Sequence, residues 1–186
     1  EARQQNKEVH FGRVCPLCSE KFSEKPQEFR VYKGRVVFQG NNVHDQTGTA
    51  AIFSDQKTAA ALISAAKICD VVSLLPGNEG QQADGVKAYS QSLLWNSSPG
   101  DKGHIETWVF LPEDQWPSSW HNKYHRPVIL LRIALYGHPL AGAFWETHCS
   151  RELKQIGWDT IPGWDNFFVN VPLQLCLFVY VDDFLI

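Results

Sequence analysis

A largely apolar run from Leu173 to Val181 meets two adjacent carboxylates, Asp182 and Asp183, and apolar residues resume at once with Phe184-Leu185-Ile186. Strand interiors are poor in Asp. The pattern therefore predicts a strand, a hairpin turn that holds both carboxylates at a sheet edge, and the start of a second strand. Two carboxylates held close together repel unless something positive sits between them. A hard divalent cation such as Mg²⁺, which takes oxygen ligands, meets that need. An ordinary polar turn is the competing reading of the dipeptide, and the rest of the chain has to decide between the two.

The length of 186 residues allows one sizeable domain or two small ones. Seven Trp and eleven Phe supply bulky core material. The net charge of −3 is unevenly spread: residues 1–40 carry eight Lys/Arg and five Asp/Glu (+3), residues 41–186 nine and fifteen (−6). This is not the charge footprint of a strong stand-alone polyanion binder. Five Cys at irregular spacing imply no disulfide framework and favour a reducing compartment. The run at 173–181 is too short to span a bilayer, and no signal peptide is visible, so no membrane association is expected. The chain starts with Glu and stops three residues into the second strand, so a fragment of a longer protein is expected.

Residues 1–29 read as a polar segment, and residues 30–186 as the main domain. The segment holds Cys15-Pro16-Leu17-Cys18 near His10. Half a zinc site and a turn with two incidental thiols are the two readings. Lys33 to Gly40 (KGRVVFQG) reads as a strand with basic residues at its start, either an edge strand with solvated charges or a cationic strand facing phosphates. Residues 41–52 are loop-like. Residues 54–69 have helical spacing with Ser54 as N-cap. A short strand ends near Asp84 and a helix follows. Ile105–Leu111 and Pro127–Leu135 read as strands, the second of a buried type. Between them, His121 and His125 lie four apart without an HExxH pattern, and solvated histidines are the favoured reading. Leu140–Ile156 reads as an amphipathic helix carrying Phe144 and Trp145, ended by Gly157-Trp158, and Asn166–Asn170 adds a strand. There is no phosphate-cradling glycine loop, no GxSxG and no Cys/His nucleophile pair.

Asp84 together with Asp182 and Asp183 makes a chemical hypothesis. Two-metal phosphoryl transfer needs a few carboxylates holding two Mg²⁺ ions about 3.5–4 Å apart, and the protein need only position groups and neutralise charge. The elements occur in a fixed order: Asp84 with Ala88-Tyr89, then Leu135-Tyr136-Gly137 before an aromatic-bearing helix, then Tyr180-Val181-Asp182-Asp183. Over about residues 30–186 this resembles the reverse transcriptase of copia-type long-terminal-repeat retrotransposon polyproteins. KGRVVFQG is similar to that family's first fingers motif and LYGHPLAGAFW to its LYG…W motif.

The resemblance implies an α+β palm-and-fingers fold, an antiparallel sheet with helices packed on one face, truncated at the catalytic hairpin, with thumb and RNase H absent. It implies that Asp84, Asp182 and Asp183 bind two Mg²⁺ ions, for which Mn²⁺ substitutes. Tyr89 would be the steric gate against a 2′-hydroxyl. Gly137 would lie near the incoming nucleotide, Lys33 and Arg35 would contact its triphosphate, and Val181, with Tyr180, would face the primer end. The partners implied are an RNA or DNA template with primer, a dNTP and the rest of the Pol polyprotein, in a cytoplasmic particle or the nucleus. His138-Pro139-Leu140-Ala141-Gly142 departs from the family's polar and basic run after Leu-Tyr-Gly and so from its template contacts. The competing readings are an inactive relic of the same domain, and a small metal or protein-interaction module built on Cys15, Cys18 and the histidines.

Overall fold

A computed structural model describes residues 8–53, 63–94 and 105–186. In chain order the strands are β1 (Val9–Lys21), β2 (Val31–Phe38), β3 (Gln82–Asp84), β4 (Glu106–Phe110), β5 (Val128–Leu130), β6 (Asp159–Ile161), β7 (Trp164–Asn170), β8 (Leu175–Tyr180) and β9 (Asp183–Leu185). The α-helices are α1 (Ile63–Ser73), α2 (Ala88–Gln91) and α3 (Ala141–Gln155). The protein is thus α+β, with two sheets and few helices. It divides into two compact units, one from Glu1–Ser54 and Leu93–Ala141, the other from Asp55–Ser92 and Gly142–Ile186. Among the described residues no helix is long and apolar enough to cross a membrane.

The first unit holds a four-stranded sheet in the order β2-β1-β4-β5. The long strand β1 changes partner along its length. Val9 to Arg13 pair in parallel with β4, and Val14 to Lys21 pair antiparallel with β2. Val14, Phe38, Val43 and Val109 form its buried cluster. Residues 1–29, read as a polar segment, contain the longest strand among the described residues, at 9–21. Its inner end is buried at Val9, His10 and Val14, while its outer half stays exposed on both faces as a two-stranded ribbon. Ladder hydrogen bonds do not need apolar side chains, so a ribbon of this kind leaves little periodic trace. The parallel β1/β4 pair also departs from the expected purely antiparallel sheet.

The second unit holds a five-stranded antiparallel sheet in the order β3-β9-β8-β7-β6. Strand side chains alternate between faces, and β8 shows the consequence. Leu177 and Val179 join Trp145, Cys149, Trp158, Phe168 and Ala88 in one cluster. Phe178 joins Ala65, Cys69 and Phe167 in another. Both faces are therefore covered, α3 lying on the first and α1 on the second, where the sequence reading placed helices on one face. This explains why residues 175–180 are almost uniformly apolar instead of alternating.

Most sequence-read elements survive with trimmed ends. The helix read at 140–156 spans Ala141–Gln155 and stops at Gly157, which takes φ +91°. The helix read at 54–69 runs on to Ser73, and its expected N-cap, Ser54, lies outside the described residues. The strand read at 127–135 shrinks to Val128–Leu130. Leu131 still bonds β4, its N–H donating to the Thr107 carbonyl at 2.9 Å, before the chain turns toward Gly137.

Candidate functional site

The β8–β9 hairpin turns on Val181 and Asp182, with Tyr180 and Asp183 as the last ladder pair. Asp183 is thus the first residue of β9, not part of the turn. On its other side β9 pairs with β3, and there Asp84 lies directly opposite Asp183. Residues directly opposite share a face, so Tyr180, Asp183 and Asp84 form one row across three strands. Gly85 continues from β3, and its N–H donates to the carbonyl of Asp182 at 2.5 Å. A Cβ at Gly85 would stand 3.1 Å from the Phe184 ring and 3.3 Å from that same carbonyl. Glycine at 85 lets the Asp84 strand approach the turn.

The turn is held from the helix side as well. The Trp145 indole N–H, on α3, donates to the Val181 carbonyl at 2.7 Å. Val181 adopts φ +56°, the left-handed region that a β-branched side chain rarely enters. Strain of this kind persists where surroundings over-determine the backbone, and here the indole and Gly85 supply two such restraints on consecutive carbonyls.

Tyr89 stands on α2, which begins just after β3. Its neighbours set its phenol: burial, then the negative charges of Asp182 and of Tyr180 when ionised, push its pKa up. Tyr89 therefore lies beside the Asp182 side of the hairpin and stays neutral at physiological pH. Strand β8 outruns β7, whose last pair with it is Phe167 with Phe178. Where it does, a cavity of about 660 Å³ opens, lined among others by Tyr89, Trp145, Glu146, Val179, Tyr180 and Val181.

The second unit therefore brings together Asp84, Asp182, Asp183, Tyr89, Tyr180 and Val181. Among the described residues, no three His, Cys, Asp or Glu side chains are already gathered as a metal cluster. The donor chemistry nevertheless fits a hard cation: an exposed pair of carboxylates in direct register, with a third on the adjoining turn.

Lys33, Arg35 and Gly137 belong to the first unit. Lys33 pairs with Ser19, and Arg35 with Leu17, on the exposed β1–β2 ribbon, so both bases share one face two residues apart. Gly137 has a structural job. It takes φ +87°, and a Cβ there would collide with the Phe38 carbonyl oxygen. The Phe38 N–H donates to the Tyr136 carbonyl at 2.8 Å, which locks the crossing. His138 is buried: its Nδ1 accepts from the Leu140 N–H at 3.2 Å, and its Nε2 lies 3.2 Å from the Thr107 hydroxyl. The departure from the family run after Leu-Tyr-Gly is thus a core histidine.

Cys15 and Cys18 lie three apart on β1, and an odd separation on a strand sends side chains to opposite faces. That geometry denies them a shared metal. His121 and His125 are exposed and lie outside any α-helix. Sequence reasoning missed the restraining roles of Trp145 and Gly85. The first showed only as an aromatic in a helix, and the second as the glycine following Asp84. No family model, no curated protein and no solved structure matches the chain.

Proposed function

We propose that the chain carries the polymerase site of a copia-type reverse transcriptase, an RNA-directed DNA polymerase joining a dNTP to a primer 3′-hydroxyl. The observation that carries the reading is the direct register of Asp84 with Asp183 beside the Asp182 turn. Asp84, Asp182 and Asp183 would hold the Mg²⁺ ions. When bound, those ions lower the pKa of the attacking hydroxyl and neutralise charge on the phosphates. The chain's own part is placement. The Trp145 and Gly85 hydrogen bonds fix the turn that presents Asp182. Tyr89, neutral and partly buried, offers a flat wall that would clash with a ribose 2′-hydroxyl. The exposed Tyr180 and the strained Val181 would meet the primer end.

The test is Mn²⁺ binding by water-proton relaxation, with and without dNTP. It compares the natural sequence with an Asp84→Asn, Asp182→Asn double variant whose fold is verified by circular dichroism. Binding that vanishes in the variant is the expected result. A folded natural protein that leaves relaxation unchanged even with dNTP present would overturn the assignment. A chain that does not fold at all would favour the inactive relic.

A further inference from the structure

The Sγ atoms of Cys69 on α1 and Cys176 on β8 lie 3.7 Å apart, although 107 positions separate them in the chain. Both face the cluster of Ala65, Phe167 and Phe178. Cys69 is buried and Cys176 half-buried. The other three thiols are placed differently: Cys149 is buried in the cluster on the opposite face of the sheet, and Cys15 and Cys18 belong to the other unit. Thiols in contact need a further approach of roughly 1.7 Å to reach the disulfide length of about 2.05 Å. Rotation about each Cα–Cβ bond supplies motion of that order without unfolding either element.

We infer that Cys69 and Cys176 form a reversible disulfide that fastens α1 to β8 under oxidising conditions. The reaction is thiol–disulfide exchange with a small disulfide such as oxidised glutathione. The more accessible Cys176 thiolate attacks one glutathione sulfur, expels one glutathione thiolate and leaves a mixed disulfide. The Cys69 thiolate then attacks the Cys176 sulfur, the protein S–S bond forms, and the second glutathione thiolate leaves. Two protein protons and two electrons end on two glutathione molecules. Burial, followed by the neighbouring Cys176 charge, pushes the Cys69 thiol up while both thiols are free. Once Cys176 is capped, its charge no longer opposes ionisation of Cys69. The bond would tie α1, which contributes Ile63 and Ala66 to the cavity beside Tyr89, to the strand that ends at Tyr180. The inference does not depend on the polymerase reading.

The test uses the full chain with the two thiols of the exposed ribbon removed (Cys15→Ser, Cys18→Ser). It is incubated folded with oxidised glutathione and mapped by mass spectrometry without reduction. Of the three thiols left from five, two are expected to disappear into one Cys69–Cys176 cross-linked peptide while Cys149 stays free. Dithiothreitol should restore them, and the thermal midpoint should rise on oxidation and fall back on reduction. A glutathione adduct that persists on Cys176 with Cys69 still free would overturn the proposal, as would a cross-link to Cys149. The same treatment in guanidinium chloride should scramble the pairing, and an unchanged preference there would show that the fold does not direct it. If the double replacement prevents folding, the unsubstituted chain is mapped for the same peptide.

Discussion

Single side chains carry the most direct tests. Trp145→Phe keeps an aromatic ring but removes the indole N–H that reaches the Val181 carbonyl. Loss of such a bond from a partly buried acceptor costs about 1–3 kcal/mol, so the unfolding free energy should fall by that amount and the urea midpoint with it. Mn²⁺ affinity should weaken too if the turn presents a metal ligand. An unchanged midpoint would mean that the turn holds itself. The thiols divide sharply. Burial, then the nearby Glu146, pushes Cys149 up to about 11, while Cys15 and Cys18 lie on the exposed half of the ribbon. Iodoacetamide at mildly alkaline pH should therefore label Cys15 and Cys18 in the native state and spare Cys69 and Cys149. At this scale the sequence was only partly readable. Asp182 and Asp183 could be singled out because carboxylates between apolar runs are unusual, whereas Asp84 gained weight only beside that pair and Tyr89 only through the resemblance. Trp145 could not be given its task, because a hydrogen bond to a carbonyl 36 positions away leaves no local mark.

At the level of elements, the hairpin and the Gly137 crossing make opposite predictions. Val181 sits at φ +56°, and left-handed backbone costs an ordinary residue roughly 1–2 kcal/mol. Val181→Asn, with a side chain that tolerates this region, should raise the unfolding midpoint. Under the polymerase reading it should also lower activity by removing the apolar surface at the primer end. A drop in stability would show that Val181 packing outweighs the strain. Gly137→Ala should destabilise by more than about 1 kcal/mol, because φ +87° and the Phe38 carbonyl both exclude a Cβ; the denaturant midpoint reports it directly. Strand β8 and helix α3 were visible in the sequence because one is an apolar run and the other has helical spacing. Strand β1 was not, since most of its side chains meet solvent and its stability comes from backbone pairing with β2 and β4.

The molecule as a whole should respond to pH and, under the polymerase reading, to metal. Cys69, Cys149 and Tyr89 all hold their protons more tightly when folded. The unfolded chain releases them first, so their contribution is complete below the ordinary thiol value of 9.0 and phenol value of 10.0. It is lost as pH rises through the folded values, about 11 for Cys149 and about 12 for Cys69. Denaturant midpoints should therefore fall steadily above the thiol value. Cys149→Ala should flatten that slope even if it lowers the plateau, whereas a slope indifferent to the replacement would place the alkaline loss elsewhere. Metal acts by mass action: a bound cation at about 100 times its Kd stabilises by about 2.7 kcal/mol. Mn²⁺ should raise the thermal midpoint of the natural chain and leave the Asp84→Asn, Asp182→Asn variant unmoved.

Local information in the chain was enough for the strand–turn–strand ending, a helix read over residues 140–156, and the choice of Asp182 and Asp183 as residues worth testing. Each rests on interactions between near neighbours: a short apolar run, helical spacing, the exclusion of Asp from strand interiors. Which carboxylates face each other was a different matter. That Asp84 stands opposite Asp183 and not Asp182 follows from the β3–β9 register. The covering of both sheet faces, the indole clasp on Val181 and the meeting of Cys69 with Cys176 likewise depend on contacts between residues far apart in sequence. Register is set by which apolar side chains can be buried at once, and a shift of one residue would turn every side chain of β9 to the opposite face. That balance is a property of the assembled sheet, so the segments taken singly do not contain it.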